Sequence, residues 1–428
     1  MDKALCQVER LRGEITVPGD KSISHRAMMI GAISEGTTEI LGYLDAADPR
    51  STLACLRTLG ADARLEGETL TIEGKGLHGF RQPPGPLDAG NSGTTIRLLS
   101  GILVGQRFPT KISGDQYLVR RPMKRIIDPL TEMGAQIVGT DKFTAPLRIF
   151  PPERLHGITY ELPVASAQVK SAVLFAGLYA EGATTVVEHQ PSRDHTERML
   201  GLTHVHSNGS TEVTVSGGMR IPARKFVVGG DPSSAAFFVV AALIAGDADI
   251  LIRNVGVNPT RIGYLDLLAT MGGRVTIENK RTAGGEPIAD LAVRSSDLSS
   301  DVRLSGSLIP NVIDEIPILA VAGAFSNGLF EVRDAFELRN KECDRIAAVC
   351  ENLRLMGIEV EEYEDGFAFE GGRQKLRPAE FDSFGDHRIA MSFGVAAANL
   401  PGSSLIKDSG CVDISYPSFW ETLHHLTH

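Results

Sequence analysis

Cysteine is scarce in this chain. Five among 428 residues (Cys6, Cys55, Cys343, Cys350, Cys411) are scattered, odd in number and without a CxxC pair. That pattern excludes a disulfide framework and a zinc site, and points to a reducing cytoplasm. Basic stripes are absent too, and the formal net charge is −10. Nucleic acid and anionic membrane are therefore not expected partners. No uninterrupted apolar span approaches the ~18 residues of a membrane helix, and the opening MDKALCQVERLRGEI lacks the apolar core of a signal peptide. The ATP-type phosphate loop GxxxxGK[ST] does not occur. GKGLHG (residues 74–79) matches GxGxxG, but the FRQPPGP that follows cannot open a helix, so dinucleotide binding is not expected. His424 and His428 stand four apart without carboxylate or cysteine companions, and His204 and His206 read as surface residues of a strand. No metal and no organic cofactor are expected.

What is present is an ordinary globular balance, 42% hydrophobic and 22% charged, in a chain long enough for two or three domains. One phrase recurs six times: an apolar, small-residue helix, then glycine, then a short β-branched run. Examples are AMMIGAISEGTTEI and SAVLFAGLYAEGATTVV. The marker glycines Gly36, Gly105, Gly182, Gly246, Gly328 and Gly402 lie 64 to 82 residues apart. A second phrase follows the first five copies, a helix ending at Leu or Met plus Gly and then alternating strands, as in LRLMGIEVEEYEDGFAFEG. The sixth copy ends without its strands, while residues 4–17, ALCQVERLRGEITV, look like strands with no helix before them. The N-terminal strands are thus expected to complete the last copy. This predicts layered α/β (α+β) architecture in two three-repeat domains, residues 20–228 and residues 1–19 plus 229–428, crossed twice by the chain, with a cleft between them.

The first helix of each copy opens on GDKSISHR, GNSGTTIR, ASAQVKS, GDPSSA, IPNVIDE or GDHRIA. Small polar residues there fit N-cap chemistry. Capping does not explain the cations Lys21, Arg26, Arg97, Lys170 and Arg388, because a helix start favours negative charge. A bound anion reverses the sign, since it meets the free N–H groups, the dipole and the cation together. The pattern predicts a cationic funnel for a small substrate with several negative charges. GDQYLVRRPM adds Arg120 and Arg121, and QPSRDHTER adds Arg193. LRNKECDRIAAV places Lys341 and Arg345 four apart, on one expected helical face, with Glu342 beside them.

Seven ordered motifs, GDKSISHR, GNSGTTIR, RPM, SAQVKSA, IDEIPILA, KECDR and GDHRIAMS, closely resemble the 5-enolpyruvylshikimate-3-phosphate synthase family over nearly the whole chain. The resemblance implies an inverse α/β barrel of six βαβαββ repeats, three per domain. It implies transfer of the enolpyruvyl group of phosphoenolpyruvate to the 5-hydroxyl of shikimate 3-phosphate, in a cytoplasmic monomer of the shikimate pathway and glyphosate-target class. Carried over by motif, Lys21 touches both substrates. Ser22, Arg26, Ser166, Gln168, Arg193, Asp314 and Lys341 hold shikimate 3-phosphate. Gly93, Arg121, Gln168, Arg345 and Arg388 hold phosphoenolpyruvate. Asp314 resembles the base that takes the hydroxyl proton, and Glu342 the acid that protonates the enol methylene, with Lys21 completing the catalytic set. Cationic neighbours of Glu342 favour its ionised form, so its role as acid needs burial or substrate charge to oppose them.

One departure concerns the C-terminal ISYP, where many members carry a lysine at the position of Ile414, so one phosphoenolpyruvate contact is missing or comes from elsewhere. SAQVKSA and RDHTE resemble a glyphosate-tolerant bacterial class, whereas Gly93 is the residue associated with sensitivity; the two point in opposite directions. The related UDP-N-acetylglucosamine enolpyruvyl transferases use a loop cysteine, and GDQYLVRRP has none. A non-catalytic anion-binding scaffold on the same repeats is disfavoured by the joint presence of Lys21, Asp314 and Glu342.

Overall fold

The computed structural model describes residues 2–67, 69–207, 209–299, 301–373 and 376–427, so His428 of the histidine pair lies outside the described residues. The architecture is mixed α/β, and one sheet pattern recurs. In the first, the order is Lys225–Val227, Glu35–Leu41, Thr69–Lys75, Asp62–Glu66. The first pair is parallel, with Phe226 opposite Ile40, and the others are antiparallel, with Ile40 opposite Leu70 and Ile72 opposite Ala63. Ile40, Leu70 and Ile72 turn one face to the core at the two-residue period of a strand. Four more four-stranded sheets repeat the order around Thr110–Ser113, Ala183–Glu188, Ala248–Gly256 and Gly328–Val332.

The sixth sheet has three strands, Glu380–Asp382, Ser403–Lys407 and the N-terminal Lys3–Cys6. Only this one N-terminal strand completes the last repeat. Leu11–Thr16, expected to do the same, instead runs parallel to Ala248–Gly256 in the fourth sheet. There it satisfies an edge whose N–H and C=O groups would otherwise lack partners. Lys225–Val227 plays the same part in the first sheet.

Contacts divide the chain into two compact units. One comprises Met1–Pro18, Gly229–Thr282 and Pro287–His428; the other Gly19–Val228 and Ala283–Glu286. In the Gly19–Val228 unit, Lys21–Ile33, Gly93–Leu103 and Ala167–Gly177 are buried over nearly their whole length. In the other unit the helices Pro232–Ile244, Ile316–Phe325 and His387–Asn399 are buried at every position. Helices hidden all round need apolar or small residues on every face, which is why these segments read as continuous apolar runs. Gly101 shows how tightly they pack, since a Cβ there would fall 2.2 Å from the Ala172 carbonyl oxygen. Charged side chains are left to the first two turns of these helices. Among the described residues no single helix is long and apolar enough to cross a membrane.

Candidate active site

The helix starts divide the labour between two kinds of residue. Asp20 accepts from the Ile23 N–H at 2.9 Å and Ser92 from the Thr95 N–H at 3.1 Å. Ser166 reaches the Val169 N–H at 3.4 Å, and Asp231 and Asp386 accept from Ser233 and Arg388 N–H at 2.8 Å. The Ile316–Phe325 helix has no side-chain cap and carries Pro317 in its first turn, where the missing N–H costs nothing. Capping therefore accounts for the short polar residues and leaves the cations to another task.

In the Gly19–Val228 unit, Lys21 opens its helix and bonds Asp48 at 3.2 Å. Arg26, five residues on, is 3% exposed. Its Nε donates to Thr196 Oγ1 at 2.7 Å, and its two terminal nitrogens donate to the Ser22 carbonyl and Ser171 Oγ at 2.9 Å. Burial pulls its pKa down to about 10, since these neutral partners do not offset the lost hydration of the charge. His25 beside it is held well below its ordinary value by burial and by Lys21 and Arg26, and so stays neutral. Gln168 joins two helices, accepting from Arg97 at 2.7 Å and donating to Thr94 at 3.1 Å. Arg121 donates to Asn91 Oδ1 at 2.6 Å, just before Gly93 at the start of the same helix as Thr94 and Arg97. Arg193 is half-buried in the segment before the His195–Leu200 helix.

The other unit gathers a different set. Asp314, between two short helical segments, accepts from Lys341 at 3.3 Å and Arg345 at 3.4 Å. Arg345 also donates to Glu342 at 2.7 Å and, through Nε, to Asp386 at 2.7 Å. Burial disfavours its charge, yet Asp386, Glu342 and Asp314 outweigh that and hold its pKa above the ordinary value. Asp386 is the reciprocal case: burial works against its ionised form, and Arg345 keeps it below the usual carboxylate value. Arg388 donates to the Asp314 carbonyl at 3.0 Å and lies 3.7 Å from Glu315. Glu315 in turn accepts from Ser233, and Arg261 bonds both Ser233 and Asp231.

Three expectations need correcting. Lys341 and Arg345 do not share a helical face: the helix is Arg345–Leu355, capped by Asp344, and Lys341 precedes it in extended conformation. They meet at Asp314 because that carboxylate comes from a distant segment. Lys170 does not line an open funnel; it is buried between Glu188 and Glu197. His204 is not a bare surface residue; it is half-buried 3.8 Å from Glu197, whose nearby carboxylate raises its pKa. Sequence reading also passed over Thr196, Ser171, Asn91, Glu315 and Asp386 as site residues. Asp386 was the most accessible of these, since GDHR places an acid directly before the cation it helps to seat. Ile414 closes the Ser409–Ile414 turn and is half-buried. Among the described residues no three His, Cys, Asp or Glu side chains are placed to hold a metal ion.

Comparison with known proteins agrees with the motif order. The family model described as EPSP synthase (3-phosphoshikimate 1-carboxyvinyltransferase) matches residues 5–423. A 3-phosphoshikimate 1-carboxyvinyltransferase of Solibacter usitatus is 50% identical over 434 residues, covering 100% of both chains. One of Geobacter sulfurreducens is 51% identical over 413 residues, 96% of this chain and 95% of that one. Among solved structures, EPSP synthase from Acinetobacter baumannii superposes with a TM-score of 0.88 at 42% identity, covering 99% of this chain and 98% of that one.

Proposed function

The chain belongs to the EPSP synthase (3-phosphoshikimate 1-carboxyvinyltransferase) family, and from that membership we propose how its two residue sets divide one reaction. The enzyme transfers the enolpyruvyl group of phosphoenolpyruvate to shikimate 3-phosphate in the shikimate pathway. In our reading Lys21, Ser22, Arg26, Ser166, Gln168, Arg193, Asp314 and Lys341 bind shikimate 3-phosphate. Lys21, Gly93, Arg121, Gln168, Arg345 and Arg388 bind phosphoenolpyruvate. Asp314 takes the proton of the 5-hydroxyl as its oxygen bonds to C2 of phosphoenolpyruvate, while Glu342 gives a proton to the C3 methylene. The tetrahedral adduct then loses phosphate: the C2–O bond to phosphate breaks and Glu342 recovers a proton from C3, restoring the enol ether. Lys21 and the arginines stabilise charge on the adduct and on departing phosphate.

The observation that carries these roles is Arg345, which holds both proposed proton-transfer carboxylates at 3.4 and 2.7 Å; the negative charge of bound phosphoenolpyruvate offsets its cation and lets Glu342 carry the proton it donates. One guanidinium thereby couples the base, the acid and the negative charge of the donor substrate. Arg26 supports the acceptor half, because a buried cation with neutral partners is completed by an anion. The enzyme is read as a cytoplasmic monomer without nucleic-acid or membrane partner or cofactor, which the acidic charge balance and scattered cysteines support. The assay is phosphate release from phosphoenolpyruvate. Release should require shikimate 3-phosphate; release that depends on UDP-N-acetylglucosamine, or none at all, would overturn the reading.

A further inference from the structure

Lys170 sits in the helix that carries Gln168 and is 1% exposed. Its Nζ donates to Glu188 at 2.5 Å and contacts Glu197 at 2.7 Å, with a longer 3.5 Å approach to the Ser192 carbonyl. Two buried carboxylates and a carbonyl surround the ammonium, so it is enclosed by the protein and not presented to a substrate. Its partners instead frame one short segment. Glu188 ends the Ala183–Glu188 strand and accepts the hydroxyl of Ser192, the residue before Arg193. Glu197 lies in the first turn of the His195–Leu200 helix, just beyond Arg193. Both sides of Arg193 are thus tied to one atom. The neighbouring side chains of the same two helices, Ser171 and Thr196, bond each other at 2.7 Å and together receive two of the three Arg26 hydrogen bonds.

We propose that Lys170, with Glu188 and Glu197, is a positioning cluster for acceptor binding: it sets residues 189–194, and so Arg193, and the Ser171–Thr196 seat of Arg26. This rests on the reading above that Arg26 and Arg193 bind shikimate 3-phosphate. Stability alone is a poor explanation for a buried ion trio, because apolar side chains of similar volume serve as well or better. What ions with short bonds supply is a single geometry, and misplacing a binding group by about 1 Å costs on the order of 100-fold. The bonds of the cluster run to Ser192, beside Arg193, and its two helices carry the Ser171–Thr196 seat of Arg26, so the effect should fall mainly on shikimate 3-phosphate.

The test is Lys170→Met in the full chain, with steady-state kinetics for each substrate and hydrogen exchange of the substrate-free protein. The KM for shikimate 3-phosphate should rise roughly 10- to 100-fold, with kcat and the KM for phosphoenolpyruvate within about threefold of wild type. Exchange should quicken in residues 189–194, and Lys170→Arg should restore part of the loss. A folded Lys170→Met enzyme with unchanged KM for shikimate 3-phosphate, or with both KM values raised alike, overturns the proposal. If that variant does not fold, Glu197→Gln and Glu188→Gln decide it by the same selective rise. Failure of the broader reading looks different, since wild-type enzyme would then show no phosphate release dependent on shikimate 3-phosphate.

Discussion

Arg26 and Arg345 are two buried arginines placed near helix starts in different units, and they are treated in opposite ways. Arg26 has two hydroxyls and a carbonyl, and burial pulls its pKa down to about 10. Arg345 has three carboxylates and is held above its ordinary value despite burial. Neutral partners orient a guanidinium without spending its charge, which suits a site awaiting a phosphate or carboxylate. Carboxylate partners hold the guanidinium firmly ionised and keep Asp314 and Glu342 in place, which suits proton transfer beside the donor substrate. The contrast separates a binding half from a chemical half by the partners each cation keeps.

The largest effect should come from the chemical half. Asp314→Asn removes the proposed base while keeping its shape, and kcat should fall about 10²- to 10⁴-fold with a smaller change in either KM. Single-turnover rates will show this, and a loss under tenfold would remove Asp314 from that role. Next is Arg26→Lys, which keeps the charge but not the three-way fork. Losing a charge-assisted bond of about 1.5–3 kcal/mol should raise the KM for shikimate 3-phosphate roughly 10- to 100-fold. An equal fall in kcat would instead place Arg26 in the chemistry and erase the distinction drawn here. The smallest effect expected is that of Gly93→Ala. Its Cβ would lie 2.9 Å from an Arg97 terminal nitrogen and 3.4 Å from one of Arg121. Arg97 cannot yield freely, because that nitrogen already donates to Gln168. The KM for phosphoenolpyruvate should rise on the order of tenfold, and a change seen only with shikimate 3-phosphate would contradict the assignment of Gly93.

Much of this was legible locally. Asp20, Ser92, Ser166, Asp231 and Asp386 cap where their residue types suggest, because an N-cap bond spans only two or three residues. The six apolar helices and their following strands were readable as a repeat because burial on every side leaves little room for polar residues. Misreadings arose at one overlooked cap and at one sheet edge. Lys341 and Arg345 were placed on one helix although Asp344, between them, is the residue that starts it. Leu11–Thr16 was assigned to the sixth repeat because strand character says nothing about which edge is open.

The sequence by itself determined the mixed α/β class, the sixfold recurrence and the clustering of cations at helix starts, since each follows from short-range periodicity and capping chemistry. Only the tertiary structure decided which cations are paired with carboxylates. Glu188 and Glu197 stand 18 and 27 positions after Lys170, and Asp386 stands 41 after Arg345. Ion pairing depends on separation in space, which folding sets and spacing along the chain does not.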